Sequence, residues 1–100
     1  MKTIDLAVTV DQPEDGARTR ILDGVGHRLR SSGFTERVEG NTVKYRPKFI
    51  GLPTVWLVRV LSGEQVTFTF EEQGRTTEMR ITGKLRQRAY AEVTEAFGGS

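Results

Sequence analysis

Cysteine is absent from this 100-residue sequence, and histidine and tryptophan each occur once. Without thiols there is no disulfide, no thiolate nucleophile and no Cys-based zinc or iron–sulfur site. The single histidine, His27, has one carboxylate at helical spacing, Asp23, four residues earlier. A zinc site needs three or four such ligands, so a solvated pair is the expectation there. Long apolar runs are missing as well, and nothing approaches the ~20 residues of a membrane span. Lys2 and Asp5 interrupt the start of the chain, where a signal peptide would be apolar. The expectation is a cytoplasmic protein, neither secreted nor inserted in a membrane. Ser31, Ser32 and Ser62 lie in turn-like contexts with no nucleophile motif around them. Gly24-Val25-Gly26 sits inside a helical pattern and so makes no dinucleotide loop. No cofactor is implied, and catalysis is not expected.

Hydrophobic residues make up 36% of the chain and charged residues 28%, enough for one small folded domain over 1–100, with 98–100 as a frayed tail. Fifteen basic residues against thirteen acidic ones give a net charge of only +2.

Apolar periodicity divides the chain. Ile4, Leu6, Val8 and Val10 alternate with Thr3, Asp5, Ala7 and Thr9, the period of a half-buried strand. Asp11 to Asp15 reads as a helix start, and Ala17, Ile21, Leu22, Val25 and Leu29 form the apolar stripe of the helix. Gly24 and Gly26 each cost about 1 kcal/mol in a helix interior, so either something packs closely there or the helix breaks. Gly33 is placed to end it. A hairpin about Gly40-Asn41 sets Phe34 opposite Pro47, Arg37 opposite Lys44 and Val38 opposite Val43. Val55 to Leu61 is nearly continuous in hydrophobicity and reads as a strand covered on both faces. Val66, Phe68 and Phe70 alternate in the next strand. A return about Gln73-Gly74 would set them opposite Ile81, Met79 and Thr77. Leu85, Ala89, Val93, Ala96 and Phe97 make a last helix stripe, its start placed at Thr82-Gly83-Lys84.

These elements specify an α+β fold. Its curved antiparallel sheet follows the order β-α-β-β-β-β-β-α, the last five strands form a meander, and two helices cover one face. That order resembles the helix-grip folds of the START and Bet v 1-like families, and also the repeat unit of TATA-binding-protein-like folds. The helix-grip resemblance implies a ligand cavity between the sheet and the C-terminal helix.

Three groups of residues stand out as candidate sites. Lys84, Arg86 and Arg88 crowd the positive end of the last helix, where a bound anion would relieve the charge. The ordinary alternative is solvated side chains, with Arg88 paired to Glu92. Arg37, Lys44, Arg46 and Lys48 line the outer side of the hairpin and could grip phosphates. With no aromatics interleaved for stacking, the stripe carries no sequence readout, and nucleic acid ranks behind a small apolar or anionic ligand as a partner. Leu52, Val55, Leu57 and Leu61 would face outward from a sheet and need a cover, for which a second copy of the chain is the expected partner. The leading reading is a non-enzymatic interaction or ligand-binding module that forms a homodimer. The alternative is an anion- or nucleic-acid-binding domain.

Overall fold

The computed structural model describes residues 1–48, 54, 57, 58 and 61–97. Nine-residue alternation carries the first strand, β1 (Lys2–Val10), and the early acids Glu14 and Asp15 open the helix α1 (Glu14–Asp23). Gly24 breaks the helical path, and α2 (Val25–Ser31) continues from it at an angle. Then follow β2 (Phe34–Glu39), β3 (Thr42–Pro47), β4 (Gln65–Gln73), β5 (Thr76–Leu85) and α3 (Gln87–Ala96). The five strands form one antiparallel sheet in the order β1-β5-β4-β3-β2. α1 lies over β4 and β5, α2 against β2, and α3 over β5 and β1. The fold is therefore α+β, with the bent helix and the C-terminal helix covering one sheet face.

Leu57, Val58 and Leu61 depart from the strand expected over 55–61. Thr54, Leu57, Val58 and Leu61, the described residues in and beside this segment, are helical, and the Ser62 amide donates to the Val58 carbonyl at 3.0 Å. β3 pairs directly with β4, Val43 facing Phe68, so no ladder position is left between them. A run rich in β-branched residues has strand propensity, but tertiary context overrides it. The meander thus contains β2 to β5, and residues 48–64 link β3 to β4. Leu57 and Leu61 consequently do not sit on the sheet's outer face. Leu52 and Val55 lie outside the described residues, as does the tail 98–100.

Register differs between the two hairpins. About Gly40-Asn41 it is as expected: Phe34 faces Pro47, Arg37 faces Lys44 and Val38 faces Val43. In the second hairpin Gln73 pairs with Thr76, so Gly74 and Arg75 form the loop. Val66 then meets Gly83, Phe68 meets Ile81 and Phe70 meets Met79, two residues from the expected partners. Gly74 has a φ of 68°, and such a residue belongs at the first position of a two-residue loop of the II′ kind. The expectation had placed it second. A slip of two leaves every side chain on its face, so hydrophobic alternation alone could not distinguish the registers.

The last helix also starts later than expected. β5 stays paired to β1 as far as Leu85 and to β4 as far as Lys84. Pairing on both sides holds Thr82 to Lys84 in the strand, and Leu85, paired to β1, is a buried strand residue.

The inner face carries Ile4, Val10, Val43, Tyr45, Val66, Phe68, Phe70, Met79, Ile81 and Leu85, and the helices add Ala17, Ile21, Val25, Leu29, Ala89 and Val93. Each large apolar side chain buried in this way contributes roughly 1.5–3 kcal/mol. Tyr45 is the polar member of the set. Its ring meets Phe68 edge-on, with centroids 5.8 Å apart, and its hydroxyl donates to Glu36 Oε1 at 2.6 Å. The Arg30 guanidinium holds the same carboxylate, and Arg30 Nη2 also donates to the Leu22 carbonyl at 3.0 Å. Burial, and then the Glu36 carboxylate, push the Tyr45 hydroxyl well above the usual phenol range. Gly26 lies directly over it, and a Cβ there would come within 2.2 Å of Tyr45 Oη and 2.8 Å of the Ile21 carbonyl. Both readings of the glycine pair are met: the helix breaks at Gly24, and a side chain packs against Gly26.

Two predictions follow from this contact. Gly26→Ala should lower stability by about 1–3 kcal/mol through overpacking. Urea denaturation would detect this, and an unchanged midpoint would disprove the close fit. Because native Tyr45 keeps its proton while an unfolded tyrosine ionises near pH 10, the native state binds more protons above that pH. Stability should therefore be fully present below about pH 10 and fall as pH rises beyond it. Tyr45→Phe should flatten that alkaline fall in a pH series of melting temperatures, and an equally steep fall in the variant would refute the assignment.

Candidate functional site

At the end of the sheet where β5 finishes and β4 begins, the inner layer does not close. A groove of about 260 Å³ opens between the end of α2, the start of β2 and the head of α3, and its wall includes Ser31, Ser32, Phe34, Glu64, Arg86, Arg88 and Ala89. That volume lies near the lower edge of small-ligand pockets, which span roughly 300–1,000 Å³. A second hollow of about 230 Å³ lies beside Val8 to Val10, Arg20 and Phe97, and its described lining has one charged side chain, Arg20. Converging polar groups over an apolar floor single out the first as the candidate site.

Local folding explains why these residues meet. α2 ends at Ser31 beside the Gly33 turn, which delivers Ser31 and Ser32 to the rim. Phe34 opens β2 and is buried, forming the apolar floor with Ala89 on the buried face of α3. Glu64 precedes β4 with its residue surface only 2% exposed, and Arg86 Nε lies 3.2 Å from its Oε2. A buried carboxylate requires a compensating cation, so the charge of Arg86 is committed to Glu64. Arg88, in the first turn of α3, has no ion pair among the described residues, and the expected Arg88–Glu92 pair does not form. Arg86 is the residue capping α3, with no side-chain hydrogen bond to the helix, and no acid occupies the helix's first turn. Among the described residues, one uncommitted guanidinium, two serines and an apolar floor therefore border a common space.

The three residues of the expected anion cluster are thus divided. Arg86 and Arg88 share the groove, whereas Lys84 lies on β5 and points to the uncovered sheet face, between Thr3 and Gln65. On that outer face it joins the hairpin cations. Arg37 lies opposite Lys44 and is tied to Glu39, and Arg46 lies opposite Thr35. Lys48 follows β3 and is exposed, its amide donating to the Gly33 carbonyl at 2.8 Å. Around them the face is surfaced with threonine: Thr3, Thr42, Thr67, Thr69 and Thr82. The aromatic side chains among the described residues lie on the covered side of the sheet or on α3, so this basic face has none for base stacking.

Glu64 escaped the sequence reading because Ser62-Gly63-Glu64 has an ordinary turn composition. Its burial depends on β4 starting at Gln65 and on Arg86 returning from a distant part of the chain. His27 is exposed, and no group of three metal-ligating side chains occurs among the described residues. No described helix is long and apolar enough to cross a membrane.

Charge is sorted along the strands. Arg46, Lys48, Lys84, Arg86 and Arg88 gather at the groove end, while Asp11, Glu14, Asp15, Glu71, Glu72 and Glu78 gather at the opposite end around the β4–β5 turn. There the Glu14 amide donates to Glu72 Oε1 at 3.1 Å and Arg18 is held by Glu14 at 3.3 Å, with Arg75 as the exposed cation of the turn. No known protein family, curated protein or solved structure matches the chain.

Proposed function

We propose that this chain is a non-enzymatic binding module whose ligand is a small organic anion with an apolar body, held in the groove at the head of α3. The observation that carries this reading is the convergence of Arg88, Ser31 and Ser32 over the Phe34–Ala89 floor. A guanidinium presents a planar fork that matches a carboxylate or phosphate with two parallel bonds. Because Glu64 offsets Arg86, the described lining carries about one net positive charge, which favours a singly charged ligand. Apolar floor area favours a ligand with a ring or short hydrocarbon over a bare inorganic ion. For the outer basic face, by contrast, nothing beyond charge argues for a nucleic acid.

Titration at low salt with benzoate, acetate and phosphate, followed by amide chemical shifts, tests the reading. Benzoate should perturb Ser31, Ser32 and Ala89 and bind more tightly than acetate, and its affinity should fall as salt rises. Arg88→Ala should weaken benzoate about tenfold or more, the weight of one charge-assisted bond. Lack of benzoate binding at low salt would remove this function, and shifts confined to Lys44, Arg46 and Lys84 would transfer it to the outer face.

A further inference from the structure

Between Thr42 and Gly63 the sequence contains no acidic residue, and its charges are Lys44, Arg46, Lys48 and Arg59. Within this stretch Leu57, Val58 and Leu61 are helical and 48%, 61% and 75% exposed. With Thr54, also helical and exposed, they fall at the i, i+3, i+4, i+7 spacing that shares one side of a helix. Large apolar side chains this exposed, and adjacent to one another, mark a surface that is covered in use.

The position of the stretch identifies the cover. It leaves the sheet after Pro47 and rejoins it at Gln65, and both points lie at the basic end of the molecule. There Arg46, Lys48, Lys84 and Arg88 have no ion pair among the described residues. The acids Asp11, Glu14, Asp15, Glu71, Glu72 and Glu78 lie around the β4–β5 turn at the other end, and Glu64, at the near end, is buried and paired with Arg86. Such a charge dipole turns the apolar residues toward a negatively charged plane.

We propose that this end of the protein docks on an anionic phospholipid bilayer, with Leu57, Val58 and Leu61 entering the boundary between headgroups and acyl chains and the surrounding cations meeting lipid phosphates. A helix that lies in the interface needs apolar area on one side and basic residues beside it, and length is not what distinguishes it from a span. A second copy of the chain is the other candidate cover. A symmetric pair would set Lys48, Lys84 and Arg88 against the same cations of its partner, a repulsion that an anionic surface replaces with attraction.

Sedimentation with vesicles tests this directly, and Trp56, the chain's one tryptophan, lies in the stretch and provides a fluorescence signal. Vesicles of equal parts phosphatidylcholine and phosphatidylserine should bind the protein and shift Trp56 emission to the blue, whereas pure phosphatidylcholine vesicles should bind it far less. Leu61→Glu should weaken binding about tenfold or more, and Lys48→Ala about fivefold, the weight of one cation at such a surface. Leu61 is largely exposed, so Leu61→Glu should keep the wild-type circular dichroism and melting temperature; a loss of fold would show that the residue is structural and overturn the proposal. Equal binding to both vesicle types would also overturn it. So would the absence of vesicle binding, whether sedimentation equilibrium then gave a dimer, assigning the surface to a second copy, or a monomer.

Discussion

The Tyr45 hydroxyl reaches the inner face of the sheet where α2 must cross it, and the helix can pass because Gly26 has no side chain. Glu36 and Arg30 complete the contact: the carboxylate accepts from Tyr45, and the guanidinium, anchored on the Leu22 carbonyl, closes over it. A buried phenol without an acceptor would lose its hydrogen bond to water with nothing in return, so the Glu36 partner is a condition of burying Tyr45 at all. The same contact locates the end of α2. Ser31 and Ser32 follow Arg30 directly, so the rim of the groove inherits its position from a packing constraint one turn away.

The other wall of the groove depends on long-range pairing. β5 must run on to Leu85 before α3 can begin, which places Arg86 beside Glu64 and Arg88 on the groove wall. Had the helix begun at Thr82, Lys84 would share that wall and Leu85 would be a helix residue. Instead Lys84 turns to the outer face with Lys44 and Arg46. One structural boundary, shifted by a few residues, thus divides the cations between two surfaces. It leaves the groove with one uncommitted guanidinium and the open sheet face with a basic end.

Charge separation along the strands links these surfaces. Each antiparallel turn returns the chain to one of two ends, and the acids cluster at the β4–β5 turn and the start of α1, while the cations cluster where β3 and β5 finish. A net charge of +2 conceals this arrangement, because opposite charges that cancel in a sum stand at opposite ends of the sheet. The link between β3 and β4 starts and finishes at the basic end and contributes the exposed Leu57, Val58 and Leu61.

By itself the sequence determined whatever depends on periodicity and local turn chemistry. Alternation of Ile4 to Val10 and of Val66 to Phe70 assigned strands and their inner faces, and Gly40-Asn41 set the β2–β3 register, because side-chain direction and tight turns are decided within a few residues. The antiparallel sheet, the helices on one face, the break at Gly24 and the close approach at Gly26 were legible in the same way. Tertiary structure alone decided the rest. Whether the run around Leu57 and Val58 entered the sheet between β3 and β4 was decided by the direct β3–β4 ladder, which leaves no position there. The two-residue slip at Gly74 preserved every buried face and was therefore invisible to a pattern of period two. Glu64 became a site residue only when Arg86, far along the chain, arrived to compensate its burial, since the value of a buried charge is set by its partner and not by its neighbours in sequence.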